Sequence, residues 1–382
     1  MSSFTPSLLD LASQIQNGTK AVHIYLQQHS LPLPSFSADA FPFFPGTGPA
    51  GIDPFPTPDQ SVLDARRDVR QACETLLQLM HAPTDHFFWR LACAHHTSAC
   101  VQYIYHFKIA EAVPVDSDVS YVEIAQKTGL DENQCRRIIR MVMTNNYFHE
   151  PRPGYVAYTV GSKLLLNKNM NDSIGYLIEE GFPAASRISE TVEKFGPSGE
   201  RNQTPWNVAH EVDLPIFEFF ETNPARMTRF LGNMENVGTT EGYSIKHLIS
   251  GYDWKGLGTG TVVDVGGSVG HCCFAIAEVA PEMEFVVQDL EKVVEGVKER
   301  VKGQKHFERI EFQAHSFFEP QPVRGAHVYL LRFICHDYSD KYAAKILGNI
   351  IPAMGPKSRI VVMDGVVPPP GILSHLEERV KR

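Results

Sequence analysis

From Thr261 onward the chain is built from short, β-branched, almost uninterrupted apolar runs: "TVVDVG", "EFVVQD", "RIEFQA", "AHVYLLRFI" and "RIVVMD". Helical stretches separate the main runs. Strands that are apolar on both faces need a sheet covered on both sides, and such sheets are parallel with helical crossovers. This pattern predicts a doubly wound α/β domain whose ligands sit at the carboxyl ends of the strands.

The first of those ends carries the stretch "TVVDVGGSVGH", Thr261 to His271. A dinucleotide site needs G-x-G-x-x-G, because the backbone must come close to a pyrophosphate at a helix N-terminus. Gly266, Gly267, Ser268, Val269 and Gly270 do not meet that spacing, and no G-K-[ST] follows to make a P-loop. Asp264, two residues before the first glycine, would repel a phosphate and suits a cation or a hydroxyl donor. S-adenosylmethionine has a sulfonium, an ammonium and ribose hydroxyls, and no phosphate. The second run ends in Asp289, nineteen residues after Gly270, where a carboxylate can accept both ribose hydroxyls. Beyond the fourth run, "VYLLRFICHDYSD" places His336 and Asp337 at the crevice, and a histidine there can take a proton from an attacking hydroxyl.

At 382 residues the chain is long for one domain, and its first 260 residues have a different character. A helix over about residues 6–29 leads into "LPLPSFSADAFPFFPGTGPAGIDPFPTPD", too rich in Pro and Gly for a long helix and rich enough in Phe for an arm packed on a surface. Helical patterning resumes near Ser61. "SYVEIAQKTGLDENQCRRIIRMVMTNNYFHEPRPGYVAYT" then reads as a helix, a turn at Gly129, a second helix capped by Asp131 and a hairpin through Pro153–Gly154. That is a winged-helix pattern, and Arg136 and Arg140 four apart could read DNA from it. A formal net charge of −9 argues against a phosphate-binding role and for a scaffold or dimer surface. Phe217, Phe220 and Met234, in the helical segment Lys163 to Ser250, are either core or the lining of a pocket for a flat apolar acceptor. Seven cysteines without a C-x-x-C fit reduced, buried thiols and no metal site. No run of about twenty apolar residues spans a membrane, and the N-terminal stretch lacks the pattern of a secretory signal, so the expected location is cytoplasmic.

With the glycine turn, Asp289 and "HDYSD" in hand, the chain resembles the fungal members of the plant-type small-molecule O-methyltransferases along its whole length. The resemblance implies a class I, Rossmann-like methyltransferase domain of α/β class, preceded by a mostly helical winged-helix dimerisation domain. Its expected divisions are an N-terminal helix and arm over 1–60, the dimerisation domain over 61–165 and the S-adenosylmethionine-binding domain over 166–382. It assigns cofactor binding to Gly266, Gly267 and Asp289, with Ser316 and Phe317 beside the adenine and Arg332 in place of a usual lysine. It makes His336 the general base for a small hydroxylated acceptor and Asp364 its orienting acid. The family usually has Glu there, so the shorter Asp is expected to give a weaker or water-mediated contact. Ser316 stands where the family has Asp, which implies weaker cofactor binding by about a kcal/mol. A homodimer is implied, without nucleic acid, membrane or metal. The chain ends at Arg382, short of the two closing strands of the family, so its fifth strand is expected to be an apolar edge. Two other outcomes stay open on this fold: a pericyclase or dehydratase that uses bound S-adenosylmethionine electrostatically, and a catalytically degenerate subunit.

Overall fold

The computed structural model describes residues 6–48, 52–238 and 243–381, which divide into two compact units. The first unit opens with helix α1 (Leu8–Gln28), capped by Ser7 and Asp10 in a reciprocal box. It runs along α2 (Gln60–His86) so closely that a Cβ on Gly18 would stand 2.5 Å from Val69 Cγ2. A break at Ala82 (φ 56°) interrupts α2 just before Pro83, where the proline ring disfavours a helical predecessor. The aromatic arm is tied down locally: Phe41 packs edge-on against Phe55 at 5.2 Å, and Val160 N donates to Phe36 O at 3.2 Å.

Next come α3 (Ala94–His106), α4 (Ile109–Ala112), strand β1 (Val119–Ser120), α5 (Tyr121–Thr128), α6 (Glu132–Met143) and β2 (Tyr155–Val156), with β1 and β2 antiparallel. Gly129 ends α5 at φ 70°, a left-handed position that glycine reaches without a Cβ clash, and the Asp131 side chain starts α6 by accepting from Gln134 N at 2.8 Å. Ile124, Ile139 and Val142 meet in the core between these helices. Arg136 pairs with Glu132, and Arg140 makes two 2.9 Å bonds to Glu150. Both guanidiniums are thus engaged within the fold, which does not suit the DNA-reading alternative.

This unit contains the described parts of 1–185, 225–241 and 370–380, so the contact division differs from the boundary expected at 165/166. The cause is a polar buried contact that no apolar period reveals. Glu180 is 2 % exposed and receives both Arg226, at 2.8 Å, and Arg229, drawing the helix Pro224–Gly238 into the helical unit.

The second unit, the described residues 186–224 and 243–369, carries the sheet. Its strands are β3 (Gly260–Val265), β4 (Met283–Asp289), β5 (Ile310–Ala314), β6 (Val328–Arg332) and β7 (Arg359–Met363). All pairings are parallel, in the order β5-β4-β3-β6-β7. Side chains alternate between two cores: Val262, Phe285, Val287 and Leu330 meet Ile276 on one face, while Val263, Val265, Tyr329 and Leu331 meet Ile346 and Ile350 on the other. Each buried side chain of this kind contributes about 1.5–3 kcal/mol. Among the described residues β7 pairs with β6 alone and forms an edge, with Val362 49 % exposed. The chain steps from β3 through β4 to β5, then returns to lay β6 on the other side of β3. The reversal opens a crevice at the carboxyl ends of β3 and β6.

A buried amide cluster holds the far side of that crevice. Gln288, 1 % exposed, exchanges bonds of 2.8 and 2.7 Å with Gln321 and donates to Gln313 at 2.7 Å. Gln288→Leu would leave the Gln321 Nε2 without an acceptor in the interior, while its Oε1 keeps the bond from Val323 N. It is expected to lower stability in urea titration by about 1–3 kcal/mol.

Candidate cofactor and acid–base site

The glycine turn is seated on the neighbouring strand. The N–H groups of Gly266 and Gly267 both donate to Gln288 O, at 2.8 and 3.0 Å. Glycine is required here by space as well as by conformation. Gly266 has φ 73°, and a Cβ on it would stand 2.6 Å from Ile334 Cδ1; a Cβ on Gly267 would stand 2.6 Å from the Asp264 carboxylate. Asp264 therefore lies beneath the turn, 2 % exposed, and does not face a ligand as the sequence suggested. Its partner is the Cys273 thiol at 3.6 Å. Burial pushes the Asp264 carboxyl up to about 7; the Cys273 bond and the charge of Arg332 oppose that rise. Burial likewise holds the Cys272 and Cys273 thiols well above their usual range, which keeps them protonated and unsuited to metal or redox chemistry. Cys73 is exposed and Cys93 and Cys335 are half-buried, so the expectation of buried thiols holds for Cys100, Cys135, Cys272 and Cys273 only.

Asp289 ends β4 with one oxygen on Ser268 N at 2.9 Å and the other on Leu290 N at 2.8 Å. Burial raises its pKa and these two backbone bonds counter the rise. Each oxygen keeps a lone pair for one more donor, which matches a ribose diol. Across β5, His315 N donates to Asp289 O at 2.9 Å and so brings Ser316 and Phe317 alongside. Phe317 Cε1 lies 3.4 Å from where a Gly266 Cβ would be, so its ring borders the turn. The Ser316 hydroxyl accepts from Phe318 N at 3.3 Å.

On the β6 side, Arg332 donates to His271 Nε2 at 2.8 Å and to Tyr243 O at 2.6 Å, with its guanidinium over the Phe333 ring. Phe333 itself has φ 55°, a left-handed conformation costly for an aromatic residue, as Ser268 does at φ 49° in the glycine turn. Beyond it a short turn, Cys335–Asp337, presents His336, whose side chain is half exposed. His336 Nδ1 lies 2.7 Å from Asp364 Oδ1, and its Nε2 lies 3.4 Å from Asp337 Oδ1. The expectation of a weaker or water-mediated Asp364 contact is corrected: the aspartate reaches the ring directly. It can because Phe333 N donates to Met363 O at 3.0 Å, which draws the loop after β6 onto the end of β7. Burial raises the pKa of Asp337, a group to which the sequence reading gave no role; His336 lowers it and Asp364 raises it further.

The proposed acceptor residues separate. Phe220 is fully buried and packs on Trp206 at 5.9 Å, so it belongs to the core and not to a pocket wall. Phe217 is half-buried in the same unit, whereas Met234, 41 % exposed, lies in the helical unit. Sequence reasoning missed His271 and the Tyr243 carbonyl. His271 directly follows the third glycine, which was a signal; a backbone carbonyl leaves none. Among the described residues no group of three or more His, Cys, Asp or Glu is placed to hold a metal, and no helix is long and apolar enough to cross a membrane. The donor set fits S-adenosylmethionine: a carboxylate with two free acceptor positions, an aromatic ring beside the turn, and one guanidinium for the single carboxylate of that cofactor.

Comparison with known proteins agrees. Residues 196–374 match the O-methyltransferase domain family and residues 89–168 the O-methyltransferase dimerisation domain family. The chain is 34 % identical to O-methyltransferase aurJ of Gibberella zeae over 99 % of its own length and 87 % of that protein. It is 37 % identical to O-methyltransferase pgmB of Aspergillus terreus over 97 % of itself and 84 % of the relative. Among solved structures it resembles OxaC in complex with SAH and oxaline, at TM-score 0.72 and 22 % identity, covering 97 % of this chain and 88 % of the other. LepI in complex with SAM gives TM-score 0.65 at 21 % identity, covering 94 % and 85 %.

The Asp264 environment makes a pH-dependent prediction. The carboxyl is raised to about 7 in the folded state and titrates near 3.8 when unfolded, so the folded state binds the extra proton between those values. Stability from this group is full at low pH and falls as pH rises towards 7. Asp264→Asn should remove that fall. The melting temperature of the variant relative to wild type is expected to rise steadily from pH 5 to pH 7.5.

Proposed function

Because this chain belongs to the family of plant-type, S-adenosylmethionine-dependent O-methyltransferases, we propose that it methylates a hydroxyl of a small aromatic or polyketide-type metabolite, with His336 as the general base. The observation that carries this reading is the 2.7 Å contact between His336 Nδ1 and Asp364 at the crevice beside the glycine turn. Asp364 takes the Nδ1–H, as an acid does for the histidine of a hydrolytic triad, which puts the lone pair on Nε2; that atom faces Asp337 Oδ1 at 3.4 Å until an acceptor hydroxyl takes the carboxylate's place. A phenol near pKa 10 keeps its proton at neutral pH, and His336 removes it as the oxygen attacks. The bound cofactor supplies a methyl group on a good sulfonium leaving group. What the protein adds is alignment of the two reactants and one proton acceptor.

Asp289 holds the ribose in this reading, Gly266 and Gly267 let the backbone come close, and Phe317 and Ser316 border the adenine. Phe217 is the acceptor contact retained from the sequence. The match to a dimerisation domain supports a homodimer. The likeness to a solved structure described as a pericyclic reaction enzyme, at TM-score 0.64 and 21 % identity, keeps the electrostatic use of the sulfonium as the second reading. A charge-only mechanism has no need of an oriented base, and the His336–Asp364 pair favours methyl transfer.

Calorimetric titration with S-adenosylmethionine and S-adenosylhomocysteine should show saturable binding that Asp289→Ala weakens by at least about a hundredfold, through loss of two charge-assisted bonds. With a phenolic acceptor panel, methylated product and S-adenosylhomocysteine should form in equal amounts; a rearranged product without S-adenosylhomocysteine would establish the second reading instead. His336→Ala is expected to lower kcat by about 10²–10⁴ with S-adenosylhomocysteine affinity unchanged, and Asp364→Asn by a smaller factor through the wrong tautomer.

A further inference from the structure

One polar contact at the crevice has no part in the proton transfer: the bond between Arg332 and His271. A guanidinium only donates, so His271 Nε2 accepts and the ring is neutral with its proton on Nδ1. The surroundings favour that state. Desolvation, and then the positive charge of Arg332, lower the His271 pKa to about 4. The residue as a whole is nevertheless exposed. The second Arg332 bond, to Tyr243 O at 2.6 Å, fixes the guanidinium from the other side. Arg332 Nε is buried without a hydrogen-bond partner among the described residues, so the head is held at its two terminal nitrogens.

Topology gives this clamp a target. Phe317 follows β5 and Asp289 ends β4, both on one side of the glycine turn, while Arg332 ends β6 on the other. A cofactor lying over the turn with its ribose at Asp289 sends its amino-acid end towards β6. Its carboxylate is its one negative charge. The guanidinium there is backed by the N-terminal end of the helix His271–Val279, which also favours an anion.

We infer that His271 is a positioning residue: with the Tyr243 carbonyl it holds Arg332 in place for the carboxylate of the cofactor's amino-acid end. This rests on the cofactor reading above. A protonated or apolar residue at 271 would leave the guanidinium free to swing away from that end.

The test is calorimetry on the full chain with two ligands, S-adenosylhomocysteine and 5′-methylthioadenosine, which shares the adenosine and thioether and lacks the amino acid. Arg332→Gln and His271→Phe should weaken S-adenosylhomocysteine by about tenfold or more while changing 5′-methylthioadenosine less than about twofold. His271→Gln, which restores an acceptor oxygen, should recover most of the loss. Asp289→Ala should weaken both ligands alike. Equal losses for both ligands in His271→Phe, or no loss for S-adenosylhomocysteine in that variant, overturn the inference while leaving the cofactor reading intact. If the folded wild type binds neither ligand, the cofactor reading fails and the inference falls with it. Should His271→Phe not fold, His271→Ala, which also lacks an acceptor at this position, makes the same comparison against His271→Gln.

Discussion

The carbonyl oxygen of Gln288 accepts from both Gly266 and Gly267, and much of the second unit is arranged around that fork. It seats the turn on the end of β4, which leaves no space for a Cβ at Gly267 and shuts Asp264 in beneath it. The side chain of the same residue, turned to the other face, knits Gln313 and Gln321 into one amide cluster. One residue thus ties the turn after β3 to β4 through its backbone, and the loop after β5 to both through its amide. Phe317 reaches the rim of the turn for that reason.

Two strained positions lie at the same place. Ser268 and Phe333 are both non-glycine residues at positive φ, one in each of the two loops that border the crevice. Such a conformation costs about 1–3 kcal/mol and persists only when neighbours hold it. Ser268 is held by Asp289, to which it donates its N–H, and Phe333 by the bond from its N–H to Met363 O. Each strained residue sits beside polar groups of the crevice: Ser268 against the Asp289 carboxylate, and Phe333 between Arg332 and the turn that carries His336. The strain is therefore tied to the position of the polar groups, not to chain reversal alone.

The electrostatics of the crevice show two separate solutions to charge burial. Beneath the turn, Asp264 has a thiol as its hydrogen-bond partner among the described residues and is driven towards its neutral form. At the mouth, Asp289 has two backbone donors that counter the burial, and His336 stands between two carboxylates, Asp364 and Asp337. Four acids within one domain end thus meet different surroundings: a thiol for Asp264, two backbone N–H groups for Asp289, and one imidazole shared by Asp364 and Asp337.

The parallel sheet, its switch point and the placement of Gly266, Gly267, Asp289 and His336 at strand ends were legible in the sequence, because apolar runs of five or six residues and the turn chemistry after them are local patterns. So was the helix–turn–helix at Gly129 and Asp131, where capping is decided within four residues. The division of the chain was not, since the buried Glu180 finds Arg226 and Arg229 more than forty positions away. Nor was the core burial of Phe220, because an aromatic residue reads the same on a pocket wall as beneath it. The reach of Asp364 to His336 depended on how far β7 is drawn towards the loop after β6. What the sequence by itself determined is which chemical groups stand at the strand ends; what only the tertiary structure decided is which of them meet and which are shut in, because partner distance and desolvation are set by elements far apart in the chain.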